Sequence, residues 1–161
     1  MTALLENISA ESPGRYLTEE EYKQLLADSP YLEGRILAAR DAQAKEEEVV
    51  GKTVRQVLKK YDFRKAYEFG EDKCIRDVAV VYRYAVYCML CDDRQQYEDK
   101  LLLWMRTIIQ SFGFPGGLDS IRMTYKLLRE EARKRVKPET AELLDPFLAV
   151  AEEILPAESI D

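Results

Sequence analysis

Four consecutive residues, Cys74-Ile-Arg-Asp77, stand at the start of an apolar stretch and bring together a thiol, a guanidinium and a carboxylate. On a helix, positions three apart face the same way, so Cys74 and Asp77 are expected to share one side of the opening turns. A thiol near a helix N-terminus and beside Arg76 is expected to have a lowered pKa, which makes it a competent nucleophile. Asp77 can accept hydrogen bonds from ring N–H groups, and Arg76 can grip a carboxylate through two parallel bonds. Together these groups suit a ligand with N–H donors and acidic side arms, tethered at the thiol. Taken alone, the motif reads more simply as a half-buried thiol beside an ordinary ion pair.

Other combinations carry less. Cys88-Met-Leu-Cys91 is a CxxC, but it ends an apolar run, and the chain has neither a second cysteine pair nor a histidine to complete a zinc site. It reads as buried core thiols. Ten tyrosines and Trp104 could wall a planar ligand, yet at helical spacing they read first as core. The absence of histidine removes Ser-His-Asp and Cys-His catalysis, His-ligated zinc and a proximal haem ligand. No converging carboxylate pair marks an acid–base centre, so no enzyme is expected.

These groups need a scaffold, and the periodicity predicts a helical one. Thr18-Glu-Glu-Glu21 fits a capping box. A helix carrying Tyr22, Leu25 and Leu26, and later Leu32, Ile36 and Leu37, should follow, with Pro30 as a kink or break. The charged run from Arg40 to Glu48 suggests an exposed stretch before Val49, Val50, Val54, Val57 and Leu58 resume a helical stripe. Residues 62 to 73 read as a loop. From about 72 to 91 the chain predicts a helix of a different kind. Between Val78 and Cys91 only Arg83 is charged, and a helix apolar on all faces must be buried or lie at the centre of an assembly. A further helix over about 95 to 112 should bury Tyr97, Leu101, Trp104, Met105, Ile108 and Phe112. The Gly113-to-Gly117 turn follows, then a stripe of Leu118, Ile121, Tyr125, Leu128 and Ala132. Pro138 suits the first position of a last helix.

The totals agree with one soluble, all-α domain spanning residues 1–161, of which about 1–17 would form an N-terminal helical region and about 18–155 the core. The 161 residues are 47 % hydrophobic with only 7 Gly and 6 Pro. A net charge of −6 argues against nucleic acid. The one basic run, Arg129 to Lys137, is interleaved with Glu130 and Glu131 and reads as a solvated helix face. No run approaches a membrane span, no secretory signal opens the chain, and three cysteines point to the reducing cytoplasm. Leu4, Leu5 and Ile8 read as one sticky face of a short helix. Glu11 and Arg83, lone charges in apolar settings, each call for a partner.

The order of features along the chain resembles the phycobiliproteins, the bilin-bearing subunits of phycobilisomes. Cys74-Ile-Arg-Asp77 running into Tyr82-Arg-Tyr-Ala-Val-Tyr-Cys-Met-Leu90 is similar to that family's Cys-Ile/Leu-Arg-Asp followed by Leu-Arg-Tyr-Ala-Thr-Tyr-Ala-Met-Leu. Gly14-Arg15-Tyr16-Leu17, the acidic segment Tyr97 to Leu102, and Ser111-Phe-Gly-Phe-Pro115 match further family features in the same order. The likeness is nearest to the allophycocyanin type.

The resemblance implies a globin-like helical bundle with an N-terminal helical extension. It implies phycocyanobilin linked as a thioether to Cys74, with Asp77 on the inner pyrrole nitrogens, Arg76 on a propionate and Val81 beside the pigment. It also implies a contact with other phycobiliprotein subunits, as heterodimer or homodimer, through Leu4, Leu5, Ile8, Glu11, Tyr16 and Arg83. A place at the thylakoid surface follows from the same likeness. Departures are visible too. Val80 and Val81 stand where the family has polar and aromatic residues, the loop before Cys74 is several residues short, and Asp92 replaces a glycine. These leave open a non-antenna protein of the same fold that regulates, scaffolds or handles bilin.

Overall fold

The computed structural model describes residues 15–62, 70–111 and 116–158. Leu4, Leu5, Ile8, Glu11 and Phe112 lie outside the described residues. Helix α1 spans Glu19–Asp28 and starts as the capping box requires. Glu21 N–H donates to the Thr18 hydroxyl at 3.2 Å, and Thr18 N–H donates to Glu21 Oε1 at 2.8 Å. Arg15 adds two bonds to the same carboxylate, at 2.8 and 3.0 Å. Pro30 opens a 3₁₀ turn, Pro30–Leu32, which is the break its missing N–H predicts.

Helix α2, Glu33–Lys60, runs 28 residues without interruption. The charged run from Arg40 to Glu48 is therefore part of a long helix and not a separate exposed stretch, with Glu47 and Glu48 outward and Glu46 turned inward. Ala38, Ala39 and Ala42 keep the inward face going through it, and their small side chains let the next helix approach. Leu26 and Leu37, expected on the stripe, face outward.

Helix α3, Gly70–Cys91, is the apolar segment, and it begins slightly earlier than its composition suggests. From Val78 to Leu90 only Val80 and Arg83 are not buried. Side chains such as Met89 and Leu90, almost wholly removed from water, each stabilise the fold by about 1.5–3 kcal/mol. Helix α3 packs on α2 and on the last helix, and the Tyr82 hydroxyl donates to the Ala42 carbonyl at 2.6 Å. The helix ends with Asp92 at a φ of 53°, where Asp92 N–H donates to Met89 O and Asp93 N–H to Cys88 O. The left-handed backbone explains why a glycine would suit this position; Asp is among the few other residues that tolerate it.

Next come α4, Arg94–Tyr97, a single π-helical turn, Glu98–Leu102, and α5, Leu103–Ser111. Leu103 N–H reaches back five residues to the Glu98 carbonyl. The inserted residue turns everything after it by about 100° relative to an unbroken α-helix. This phase shift overturns part of the expected stripe. Tyr97, Leu101 and Met105 are buried, but Trp104 is 59 % exposed and Ile108 38 %.

Gly116 and Gly117, both at positive φ, lead into α6, Gly117–Arg135. The last helix, α7, Pro138–Ile154, starts at Pro138 as expected. Arg129 clamps α7 through Asp145 at 2.7 and 2.9 Å and Glu152 at 3.0 Å. Arg133 and Arg135 pair with Asp145 and Glu131, but Glu131 is buried and also accepts from Gln56 Nε2 at 2.9 Å, so the basic run is ion-paired and only partly the solvated face expected. One hydrophobic cluster runs from Leu17 to Leu155 through α1, α2, α3 and their packed neighbours. No strand occurs among the described residues, and the chain has the all-α, globin-like architecture.

Candidate functional site

Cys74 and Asp77 face one cavity of about 60 Å³ between α3, α5 and α6. Helix α3 supplies Cys74, Asp77 and Val78, which is the i, i+3, i+4 set of one face. Ile109 comes from α5, and Ser120, Ile121, Thr124 and Tyr125 come from α6. The walls are mostly apolar. The Ser120 and Thr124 hydroxyls donate to carbonyls of their own helix, at 2.8 and 2.7 Å, so toward a ligand they can act as acceptors.

The thiol's electrostatics are the reverse of what the helix N-terminus suggested. Cys74 is pushed up to about 11, first by burial and then by the Asp77 carboxylate. Its position explains this. Cys74 is the fifth residue of α3, beyond the four free N–H groups of the helix end, and Asp77, one turn ahead on its face, is negative. Burial also raises Asp77, against the pull of Arg76 and Lys73. Tyr125, buried on α6, is held up by burial and by Asp77 and Cys74, so its ring lies within the field of both groups.

Arg76 does not enter the cavity. Its side chain is 70 % exposed, with Nε 3.6 Å from Asp77 Oδ1. Val81 also stays out of the lining. It is fully buried one turn beyond Val78, and its carbonyl accepts the Tyr97 hydroxyl at 3.2 Å. Thus the structure joins Cys74 with Asp77, leaves Arg76 exposed beside Asp77 and outside the lining, and moves Val81 into the core behind. Sequence reading missed Ser120, Thr124 and Ile109, and it assigned Tyr125 and Ile121 only to the core. Only their side of the α5 and α6 stripes could have indicated them.

A second cluster lies elsewhere on α3. Arg83 donates to Glu46 through Nε at 2.7 Å and Nη2 at 2.8 Å, and Tyr16 donates to Glu46 Oε1 at 2.8 Å. The guanidinium also sits 5.7 Å from the Tyr16 ring centre. Glu46 of the same chain, hidden in what looked like a plain charged run, is therefore a partner for Arg83. Tyr16 and Arg83, both expected at a subunit contact, are brought together here. Cys88 is buried and Cys91 half-buried, both as free thiols raised by burial. No metal-binding group occurs among the described residues, and no described helix is long and apolar enough to cross a membrane.

The fold and site define an all-α, globin-like protein with a thiol and a carboxylate in one cavity at the rim of its central helix. The model of the phycobilisome protein family matches residues 8–155. The chain belongs to that family. A comparison with curated proteins gave no match.

Proposed function

We propose that the chain is a light-harvesting, core-type phycobilisome subunit that carries a linear tetrapyrrole, phycocyanobilin, on Cys74. The observation that carries this reading is that Cys74 and Asp77 open on the same cavity. The pigment supplies absorption of visible light. The chain's own work is positional. Cys74 Sγ anchors one end, and the Asp77 carboxylate accepts ring N–H bonds that favour a single extended conformation. Val78, Ile109 and Ile121 press on the ring and keep water off it. Arg76, exposed beside Asp77, is the guanidinium that would pair with a propionate. Val81 supports from behind without lining the cavity.

The decisive experiment is co-expression with a bilin-synthesis pathway, followed by denaturation. Wild type should stay coloured and Cys74→Ala should lose the colour. A colourless wild type, or a coloured Cys74→Ala, would overturn the assignment.

A second reading, a non-antenna member of the family that regulates, scaffolds or handles bilin, is favoured by the cavity itself. About 60 Å³ holds one ring end, against about 300–1,000 Å³ for most small-molecule pockets. Pigment in this case would be weakly or transiently held. In either reading the partners are other phycobiliprotein subunits, as heterodimer or homodimer, at the thylakoid surface, with Leu4, Leu5, Ile8, Glu11, Tyr16 and Arg83 in the contact. Size measurement after mixing with allophycocyanin subunits tests this. Glu11→Lys is the cleaner variant, because Arg83→Glu also breaks the pair with Glu46.

A further inference from the structure

Among the described residues, the cavity that holds Cys74 has a carboxylate in its lining and no cationic side chain. Cys74 faces Asp77 from its own helix, Tyr125 from α6 and the apolar Ile109 from α5. The cations nearby, Lys73 and Arg76, act on Asp77 from the same helix, and Arg76 points out to water. A thiolate formed here would meet apolar walls and a like charge one helical turn away.

We infer that Asp77 is an electrostatic latch on Cys74, keeping the thiol protonated while the cavity is empty and releasing it when a ligand's ring N–H donors neutralise the carboxylate. The identity of the ligand rests on the tetrapyrrole reading above; the restraint on the thiol does not. Asp77 is thus a positioning residue for the pigment and also sets the order of events, docking first and bonding second. Burial first and Asp77 second hold the thiol near 11 instead of an ordinary 9.0, so that only about one molecule in 10,000 is ionised at pH 7, against about one in 100; Asp77 is the part of that restraint a ligand can lift. Passing electrophiles therefore find little thiolate. A ligand that covers Asp77 with N–H donors removes the like-charge part of that penalty. The bond then forms by addition. The thiol proton leaves to solvent, sulfur bonds to an exocyclic carbon as its C=C π bond opens, and a proton adds to the adjacent ring carbon. No oxidant or reductant is consumed.

The test compares two electrophiles on the folded chain, with products assigned to the Cys74 peptide by mass spectrometry. Iodoacetamide reports the bare thiol, and phycocyanobilin reports the docked one. Asp77→Asn should alkylate roughly threefold or more faster than wild type at pH 8, and should couple phycocyanobilin more slowly. Opposite signs are the signature of the latch. Alkylation that is unchanged or slower in Asp77→Asn, or coupling that rises together with alkylation, overturns it. Far-UV circular dichroism checks that the variant is folded. Should it not fold, wild-type alkylation at high against low salt replaces it; screening of Asp77 must speed the reaction, and a salt-independent rate overturns the latch. A wild type that alkylates as expected but never couples the bilin overturns the tetrapyrrole reading and leaves the restraint on the thiol standing.

Discussion

Arg83 and Glu46 lie 37 residues apart in sequence and are joined by two parallel bonds, at 2.7 and 2.8 Å, which tie α3 to α2. Tyr16 closes the group from a third side, with its hydroxyl on the same carboxylate. One half-buried acid thus holds the segment before α1, the long helix and the central helix in register.

Truncating that acid should be costly. Glu46→Ala takes away the acceptor of two Arg83 bonds and of the Tyr16 hydroxyl, for an expected loss of about 1–3 kcal/mol in urea unfolding. Glu46→Gln keeps an acceptor oxygen and should lose less. Equal stability of Glu46→Ala and wild type would mean that the group holds nothing together.

Acid sensitivity should begin at the first helix. Glu21 is lowered to about 2 from an ordinary 4.5, first by its bonds to Arg15 and then by those to Thr18. A carboxyl depressed in the folded state adds stability that is fully present above about 4.5 and is lost as pH falls toward about 2. Glu21→Gln should therefore melt below wild type at pH 7, with the gap closing through that window. Asp145, held low by Arg129 and Arg133, predicts the same direction for Asp145→Asn. A gap that stays constant down to the lowest pH would contradict both.

The two glycines before α6 should not be equivalent. Gly116 has a φ of 77°, and a side-chain carbon there would collide with the Tyr61 ring; Gly117 has a φ of 54° and open space around it. Gly117→Ala should cost about 1–2 kcal/mol for left-handed strain alone. Gly116→Ala adds the collision and should cost more. Thermal melts of the two variants, in that order, are the check.

Trp104 is the chain's single tryptophan, and it sits exposed on α5 next to Leu103 and Ile108. The isolated chain should emit at the red, water-facing end of the tryptophan range and be quenched readily by iodide. Trp104→Ala should change stability little, within about 0.5 kcal/mol. Blue emission shielded from iodide would contradict the exposed placement.

Particular residues explain what could be read in advance. The central helix declared itself because thirteen positions between Val78 and Leu90 contain one charge, a pattern that only burial can satisfy. Cys74 and Asp77 could be paired because helical periodicity is local. The other walls of their cavity could not, since Ile109 and Tyr125 reach it only from α5 and α6, far along the chain. Glu46 was invisible for a related reason. Its neighbours Glu47 and Glu48 are exposed, and nothing local separates the one acid that turns toward Arg83. The sign of the thiol's shift is not legible from a place near a helix start, because it is set first by burial, which only packing decides, and then by the carboxylate one turn ahead.

The π turn at Glu98–Leu102 decides more than the exposure of Trp104. Deleting any one of its five residues would let the stretch relax into regular α-helix and swing α5 by about 100°. Ile109 would then leave the wall opposite Cys74, and the far side of the cavity would open without a single lining residue having been changed. At this point the chain sets the shape of its cavity by residue number: the length between Tyr97 and Leu103 matters more than the chemistry of what fills it.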